Sequence, residues 1–315
     1  MPAKAKVLYI VSAGHSGSTL LDLICGTLPG VFSMGETHFL SWQLKQGEIK
    51  NDPQSYCSCG QYFDKCHFWY PILREFTEDL RSDIFANPEK SDFSLNRGII
   101  RGKRYVQHRY LNALFSRSMR FRVLRPLKNI IFWVYRERVK NVWKLYDRVA
   151  AKSGCQFVVD SSKDINRAFL LKMYRPSDVQ ILVLKRDVRG VASSSHYGLT
   201  DEMVKERTKR WVEFYYKKLP EYFVQLSEQE IYEVNYEKLC SDYNGVRADI
   251  FAFLKLEPTL LKPIESIAPY KYHTVQGNPM RLAKEDLNIK YDERWKQRLK
   301  ENQVRWISQY CENNI

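Results

Sequence analysis

The glycine loop near the start of this chain has no lysine. GHSGST (residues 14–19) follows the apolar run VLYIVS and reads as a strand–turn–helix offering backbone N–H groups to an anion. A nucleoside-triphosphate loop of the form GxxxxGK[ST] needs a lysine before its hydroxyl residue, so its absence here argues against an ordinary triphosphate loop. Long apolar runs are missing too. With no stretch of about 18 apolar residues, a membrane-spanning helix is not expected. The first strand candidate begins at Val7, which leaves no room for a secretory leader, and a cytoplasmic location is expected. No internal repeat, low-complexity tract or Gly/Ser linker divides the 315 residues, which are read as one domain.

Acids are scarce in one region. Between Asn96 and Arg148 only Glu137 and Asp147 oppose 15 lysines and arginines, so nearly all of the chain's +14 net charge sits there. Such a patch suits an acidic substrate, an anionic membrane surface or nucleic acid, or is a set of solvated helix faces. Aromatics interleave with the charges (Tyr105, Tyr110, Phe115, Phe121), but no nucleic-acid motif accompanies them, and no specific nucleic acid is expected.

The seven cysteines are odd in number and mostly scattered, as in a reducing compartment. CSCGQYFDKCH is the exception, with Cys57, Cys59, Cys66 and His67. Three thiols and an imidazole suffice for a tetrahedral zinc site. The C-x-C spacing and the adjacency of His67 to Cys66 favour a reduced loop or one facultative disulfide instead.

Hydrophobic content of 44% and aromatic content of 14% describe a folded globular chain. Short apolar, β-branched runs alternate with helical patterns: residues 7–12, 31–34, 156–160, 179–185 and 230–235. Their continuous apolarity predicts a parallel α/β sheet buried on both faces. A helix is expected over Thr19–Leu28, ending near Pro29-Gly30. Between the second and third strands lies an insertion of about 120 residues, far longer than a usual crossover. It is mainly helical in pattern, at about residues 68–152, and carries the basic charge.

Two loops promise chemistry. In the first, Gly14 and Gly17 allow close approach of an anion, and Ser16, Ser18 and Thr19 add hydroxyl donors. The second is LVLKRDVRGVASSSHYG, where Arg186 sits at the carboxyl edge of a buried strand and Ser194 follows eight residues later. Together they could grip a second phosphate. Alternatively, Arg186, Asp187 and Arg189 form a salt-bridge cluster at a helix start.

HSGST (His15–Thr19) with Arg186 and Ser194 resembles the sulfotransferases that use 3′-phosphoadenosine 5′-phosphosulfate (PAPS). In that family [KR]SG[ST][ST] holds the 5′-phosphosulfate, R-(x)₇-S holds the 3′-phosphate, and no Walker lysine is expected. FSMGETHFL is similar to the CGEETR segment of tyrosylprotein sulfotransferases, which implies Glu36 as catalytic base. VVDSSKD is similar to the NKDP-type segment, implying that Lys163 contacts the transferring group. EVNYEKL resembles YE-(x)-L, which would set Tyr236 beside the adenine, and HTVQGNPMR stands where a late basic glycine loop closes over the 3′-phosphate, implying Gly277, Asn278 and Arg281.

The resemblance implies an α/β, P-loop-NTPase-like (nucleotide-kinase-like) three-layer sandwich, PAPS as co-substrate and no required metal. The departure is His15, where arginine or lysine is usual; a protonated imidazole or Lys163 would supply the charge. His38 and His196 rank below Glu36 as bases. The basic insertion would flank the acceptor site, for an acceptor of acidic character or one presented at an anionic membrane. Two rivals stand beside this reading. One is a small-molecule kinase, because VVD resembles a strand ending in a magnesium-holding acid. The other is a non-enzymatic binder of anionic polymers.

Overall fold

A computed structural model describes residues 4–46, 56–95, 103–194 and 198–315. Five parallel strands form one sheet: β1 (Lys6–Ser12), β2 (Val31–Ser33), β3 (Phe157–Lys163), β4 (Val179–Lys185) and β5 (Ile231–Asn235), in the order β2-β3-β1-β4-β5. All five expected strands are present. β3 runs past the expected QFVVD because its chain stays beside β1, through a register irregularity, as far as a Val11–Lys163 pairing.

Between β1 and β2 lies α1 (Ser18–Cys25). The insertion between β2 and β3 carries α2 (Leu40–Gln46), α3 (Trp69–Leu80), α4 (Lys103–Arg120) and α5 (Leu127–Ser153). Then α6 (Ile165–Tyr174) joins β3 to β4, and α7 (Val188–Ala192), α8 (Asp201–Val212) and α9 (Leu219–Phe223) lie between β4 and β5. After β5 come α10 (Tyr236–Ser241), α11 (Tyr243–Phe253), α12 (Trp295–Arg298) and α13 (Glu301–Glu312). The starts of α6, α7, α8, α10 and α11 are capped by Asp164, Asp187, Thr200, Asn235 and Asp242, each accepting from a backbone N–H of its first turn.

The alternation along β1 explains the layering. Val7, Tyr9 and Val11 enter one hydrophobic cluster, Leu8 and Ile10 the other, and all five are fully buried. Helices therefore cover both faces, and the strand reads as an unbroken apolar run. α1, α10 and α11 contribute to the second cluster, while α3, α5 and α6 contribute to the first. α5 is a long helix whose buried positions Tyr135, Val139, Val142, Trp143, Tyr146 and Val149 repeat at helical spacing. It stops at Gly154, which takes the left-handed φ of 69° that a C-terminal cap favours. The insertion is thus tied to the sheet through an apolar stripe. Its charge lies on the remaining surface, and Asn96, Arg97 and Arg101 fall outside the described residues. No helix among the described residues is long and apolar enough to cross a membrane.

One buried acid couples α1 to β2. Asp22 accepts a 2.6 Å hydrogen bond from the Ser33 hydroxyl and is 1% exposed. Burial raises its carboxyl from 3.8 to about 8. The folded state therefore favours the neutral acid, and the stability that this provides is lost as pH rises toward 8. Asp22→Asn, which mimics the neutral form, should melt at a higher temperature than wild type at neutral pH. The advantage should shrink as pH falls below ~4 toward ~3 in a melting series, where the wild-type acid becomes neutral in both states.

Candidate active site

The segments that follow all five strands, joined by two later loops, meet above the carboxyl edge of the sheet, the position where open α/β folds bind ligands. They line a cleft of about 550 Å³, a volume suited to a nucleotide-sized ligand.

The first loop joins β1 to α1. His15 and Gly17 both take left-handed backbone, at φ 64° and 91°. α1 begins with no acid in its first turn, so the positive end of its dipole is uncompensated by its own side chains. Gly17 is required by packing as well as by φ: a Cβ there would stand 2.5 Å from the Tyr236 ring. Gly14, His15, Gly17, Ser18 and Thr19 line the cleft. The Ser16 hydroxyl does not; Ser16 is fully buried and its oxygen lies 3.5 Å from the Tyr215 hydroxyl.

That tyrosine holds the loop from below. Between α8 and α9 the helix widens to a π-helix over Glu213–Lys218. The Tyr215 hydroxyl accepts from the Ala13 N–H at 3.1 Å and donates to the Leu184 carbonyl at 2.5 Å, bridging the ends of β1 and β4. No feature of the sequence announces the π-helix, and Tyr215 is a positioning residue that sequence reasoning passes over.

Glu36 and Lys163 come from the second and third strands and form an ion pair inside the cleft. Lys163 ends β3 with φ 68°, a strained conformation for a side-chain-bearing residue that turns its ammonium toward Glu36. The Glu36 backbone N–H is anchored to the Val275 carbonyl at 2.8 Å. His38 is buried beside Phe39, and its backbone N–H donates to the Ser162 hydroxyl at 3.2 Å. His196 lies outside the described residues.

Asp160, the acid of VVD, points away from the cleft. It is fully buried, accepts from Thr37 at 2.6 Å and the Ser162 N–H at 2.9 Å, and pairs with buried Arg167 at 3.3 Å. Arg167 also donates to the Phe93 carbonyl at 2.7 Å, which ties the insertion to the sheet. An acid so engaged supports the fold, and the kinase reading loses its magnesium ligand.

Arg186 and Ser194 line the same cleft. The alternatives for LVLKRDVRG both find a place. Asp187 and Arg189 do form a salt-bridged cap, with the Arg189 N–H on Asp187 at 2.7 Å. Arg186 stands apart from them. Its guanidinium stacks on Tyr236, 4.3 Å from the ring centroid, and donates to the His15 carbonyl at 3.2 Å. It also pairs with Asp292 at 3.2 Å. Hydrogen bonds from Arg294, and secondarily Arg186, hold the Asp292 carboxyl well below its usual range. Asp292, Arg294 and Lys290 line the cleft mouth, in a segment (DLNIKYDERW) that carries no motif by which sequence alone would mark it.

The last loop is a strap. Gly277 and Asn278 line the cleft, and the Asn278 N–H donates to the Thr19 hydroxyl at 3.0 Å. Arg281 does not join them. It is 1% exposed and donates to the Tyr56 carbonyl at 2.8 Å, so it anchors the strap from behind.

The cleft of this α/β protein thus brings together a glycine loop, an acid–lysine pair and an arginine. The protein-family model described as the sulfotransferase family matches residues 8–259. The chain belongs to the sulfotransferase family. Among solved structures it is similar to the sulfotransferase domain from the curacin biosynthetic pathway, at 15% identity and TM-score 0.43, covering 99% of each chain. The sulfotransferase domain of the Synechococcus PCC 7002 olefin synthase follows at 12% identity and TM-score 0.42, over 98% of this chain and 96% of that one. Retinol dehydratase, solved with androsterone and the inactive cofactor PAP, has 14% identity and TM-score 0.37, over 100% and 82%. No curated protein matches.

Tyr215→Phe tests the bridge beneath the loop. It leaves a backbone donor and a backbone acceptor without their shared partner, which should lower unfolding free energy by about 1–3 kcal/mol in urea titrations.

Proposed function

We propose that residues 1–315 form one sulfotransferase domain that moves the sulfuryl group of PAPS to an acceptor hydroxyl or amine by in-line displacement. The observation that carries this reading is the Glu36–Lys163 pair, which lines one cleft with the Gly14–Thr19 loop and Arg186. The loop amides, the α1 dipole and His15 would receive the 5′-phosphosulfate. Arg186 and Ser194, with Arg294 and Lys290 at the mouth, would receive the 3′-phosphate, and Tyr236 the adenine face. Asp292 then competes with that phosphate for Arg186.

Glu36 takes the acceptor proton as the new bond to sulfur forms and the sulfur–oxygen bond to the phosphate breaks. Lys163 and the loop donors balance charge on the sulfuryl oxygens and on the departing phosphate. Lys163 is held against Glu36, so it stands close to both the nucleophile and the group in transfer. Metal is not part of this chemistry as proposed.

Glu36→Gln should lower kcat by about 10²–10⁴-fold, the usual contribution of a general base. Adenosine 3′,5′-bisphosphate should raise the melting temperature of wild type and variant alike, while MgATP should not. Near wild-type turnover by the variant would remove Glu36 from the role, and stabilisation by MgATP alone would return the kinase reading.

A membrane-presented acceptor is favoured by one surface. The turn between α4 and α5 exposes Phe121 and Val123 beside Arg122 and Arg125, and the first turns of α5 expose Ile130 and Trp133. Apolar side chains among cations suit the interface of an anionic bilayer. The protein should co-sediment with anionic vesicles and not with zwitterionic ones, and Val123→Asp with Trp133→Asp should abolish this. Equal recovery with and without vesicles would leave the acceptor in solution.

A further inference from the structure

The cysteine loop after α2 is completed by a residue far away in sequence. Cys57, Cys59, Cys66 and His273 bring one ligand atom each to within 4.8 Å of one another. The separations are 3.7 Å between the sulfurs of Cys57 and Cys66 and 3.6 Å between those of Cys59 and Cys66. The His273 Nδ1 lies 3.5 Å from Cys57 and 3.3 Å from Cys66. A tetrahedral zinc with bonds of about 2.3 Å to sulfur and about 2.0 Å to nitrogen sets its sulfurs about 3.8 Å apart and nitrogen slightly nearer. A disulfide would need about 2.05 Å, and all three cysteines are free thiols.

The surroundings have the form of a metal-binding turn. The Cys57 carbonyl accepts from the Gly60 N–H at 2.8 Å, the Cys57 N–H reaches the Gln61 carbonyl at 2.9 Å, and Gly60 takes φ 82°. The His273 ring is fixed by stacking on Phe68 at 4.9 Å, and its carbonyl accepts from the Trp69 indole at 2.6 Å. His67, the local candidate, is exposed and only meets His273 edge-on at 4.6 Å. Three thiolates and a zinc leave a charge of −1, and the buried cation Arg281 is bonded to the backbone of Tyr56 next to Cys57.

We infer that Cys57, Cys59, Cys66 and His273 bind a structural Zn²⁺ ion that clamps the loop after α2 to the strap closing the cleft. With all four positions taken by protein, the ion has no open site for substrate. Its role is mechanical. The strap leaves the cluster at His273 and, within five residues, pairs Val275 with Glu36 and covers Thr19 with Asn278. Loss of the ion should therefore loosen both, whatever reaction the cleft performs.

The full chain, expressed without a metal-affinity tag and in zinc-supplemented medium, should carry about one zinc per molecule by elemental analysis. Cobalt substitution should give the ligand-field bands of a tetrahedral thiolate site, and chelation should lower the melting temperature. His273→Ala should lose the metal and His67→Ala should keep it. Should the cysteine variants fail to fold, the two histidine variants and the wild-type stoichiometry still decide the matter. The inference is overturned by folded, metal-free protein with three titratable thiols, by a disulfide among these cysteines, or by zinc retained in His273→Ala and lost in His67→Ala.

Discussion

The backbone pairing between the strap and the end of β2 governs the arrangement of this site. The Val275 N–H donates to the Met34 carbonyl at 2.7 Å, and the Val275 carbonyl accepts from the Glu36 N–H. Gly35 passes between them at φ 76°, where a Cβ would fall 2.1 Å from the Val275 oxygen. Only glycine permits an approach that close. Through this contact a segment near residue 275 fixes a carboxylate near residue 36, and the same segment covers the glycine loop.

Around that contact the site concentrates strain and charge, and the rest of the fold absorbs them. His15, Lys163 and Gln276 all adopt left-handed backbone close to the cleft. Such residues each cost about 1–3 kcal/mol and persist where packing leaves them no alternative. Beneath them lie β1, β3 and β4, buried on both faces, and the Asp160–Arg167 pair with its ring of hydrogen bonds. A rigid base of this kind lets Glu36 and Lys163 stay paired and aimed into a cleft without collapsing onto other partners.

Much of the site was legible because its signals are local. Five apolar runs became five strands, and the glycine loop, Glu36, Lys163, Arg186, Ser194, Tyr236, Gly277 and Asn278 came to one cleft. Arg281 shows the limit of motif reading. A basic residue in a late glycine loop suggested a phosphate ligand, but burial turned it toward the Tyr56 carbonyl. Ser16 is similar, for its hydroxyl faces Tyr215 and not the cleft. In the cysteine loop, the sequence offers His67 as the neighbouring imidazole, whereas His273 of the strap stands beside the thiols; nothing local links residue 66 to residue 273.

The alternation of apolar residues, the capping side chains and the glycine turns are properties of neighbouring residues, so the parallel sheet, the helix starts and the glycine loop follow from local sequence. Which side chains meet across long separations depends on how the strap and the insertion pack on that sheet. The tertiary structure alone decided that Tyr215 supports the loop, that Asp292 faces Arg186 and that His273 joins three cysteines. Those pairings arise from packing between segments tens to hundreds of residues apart, and sequence periodicity carries no record of them.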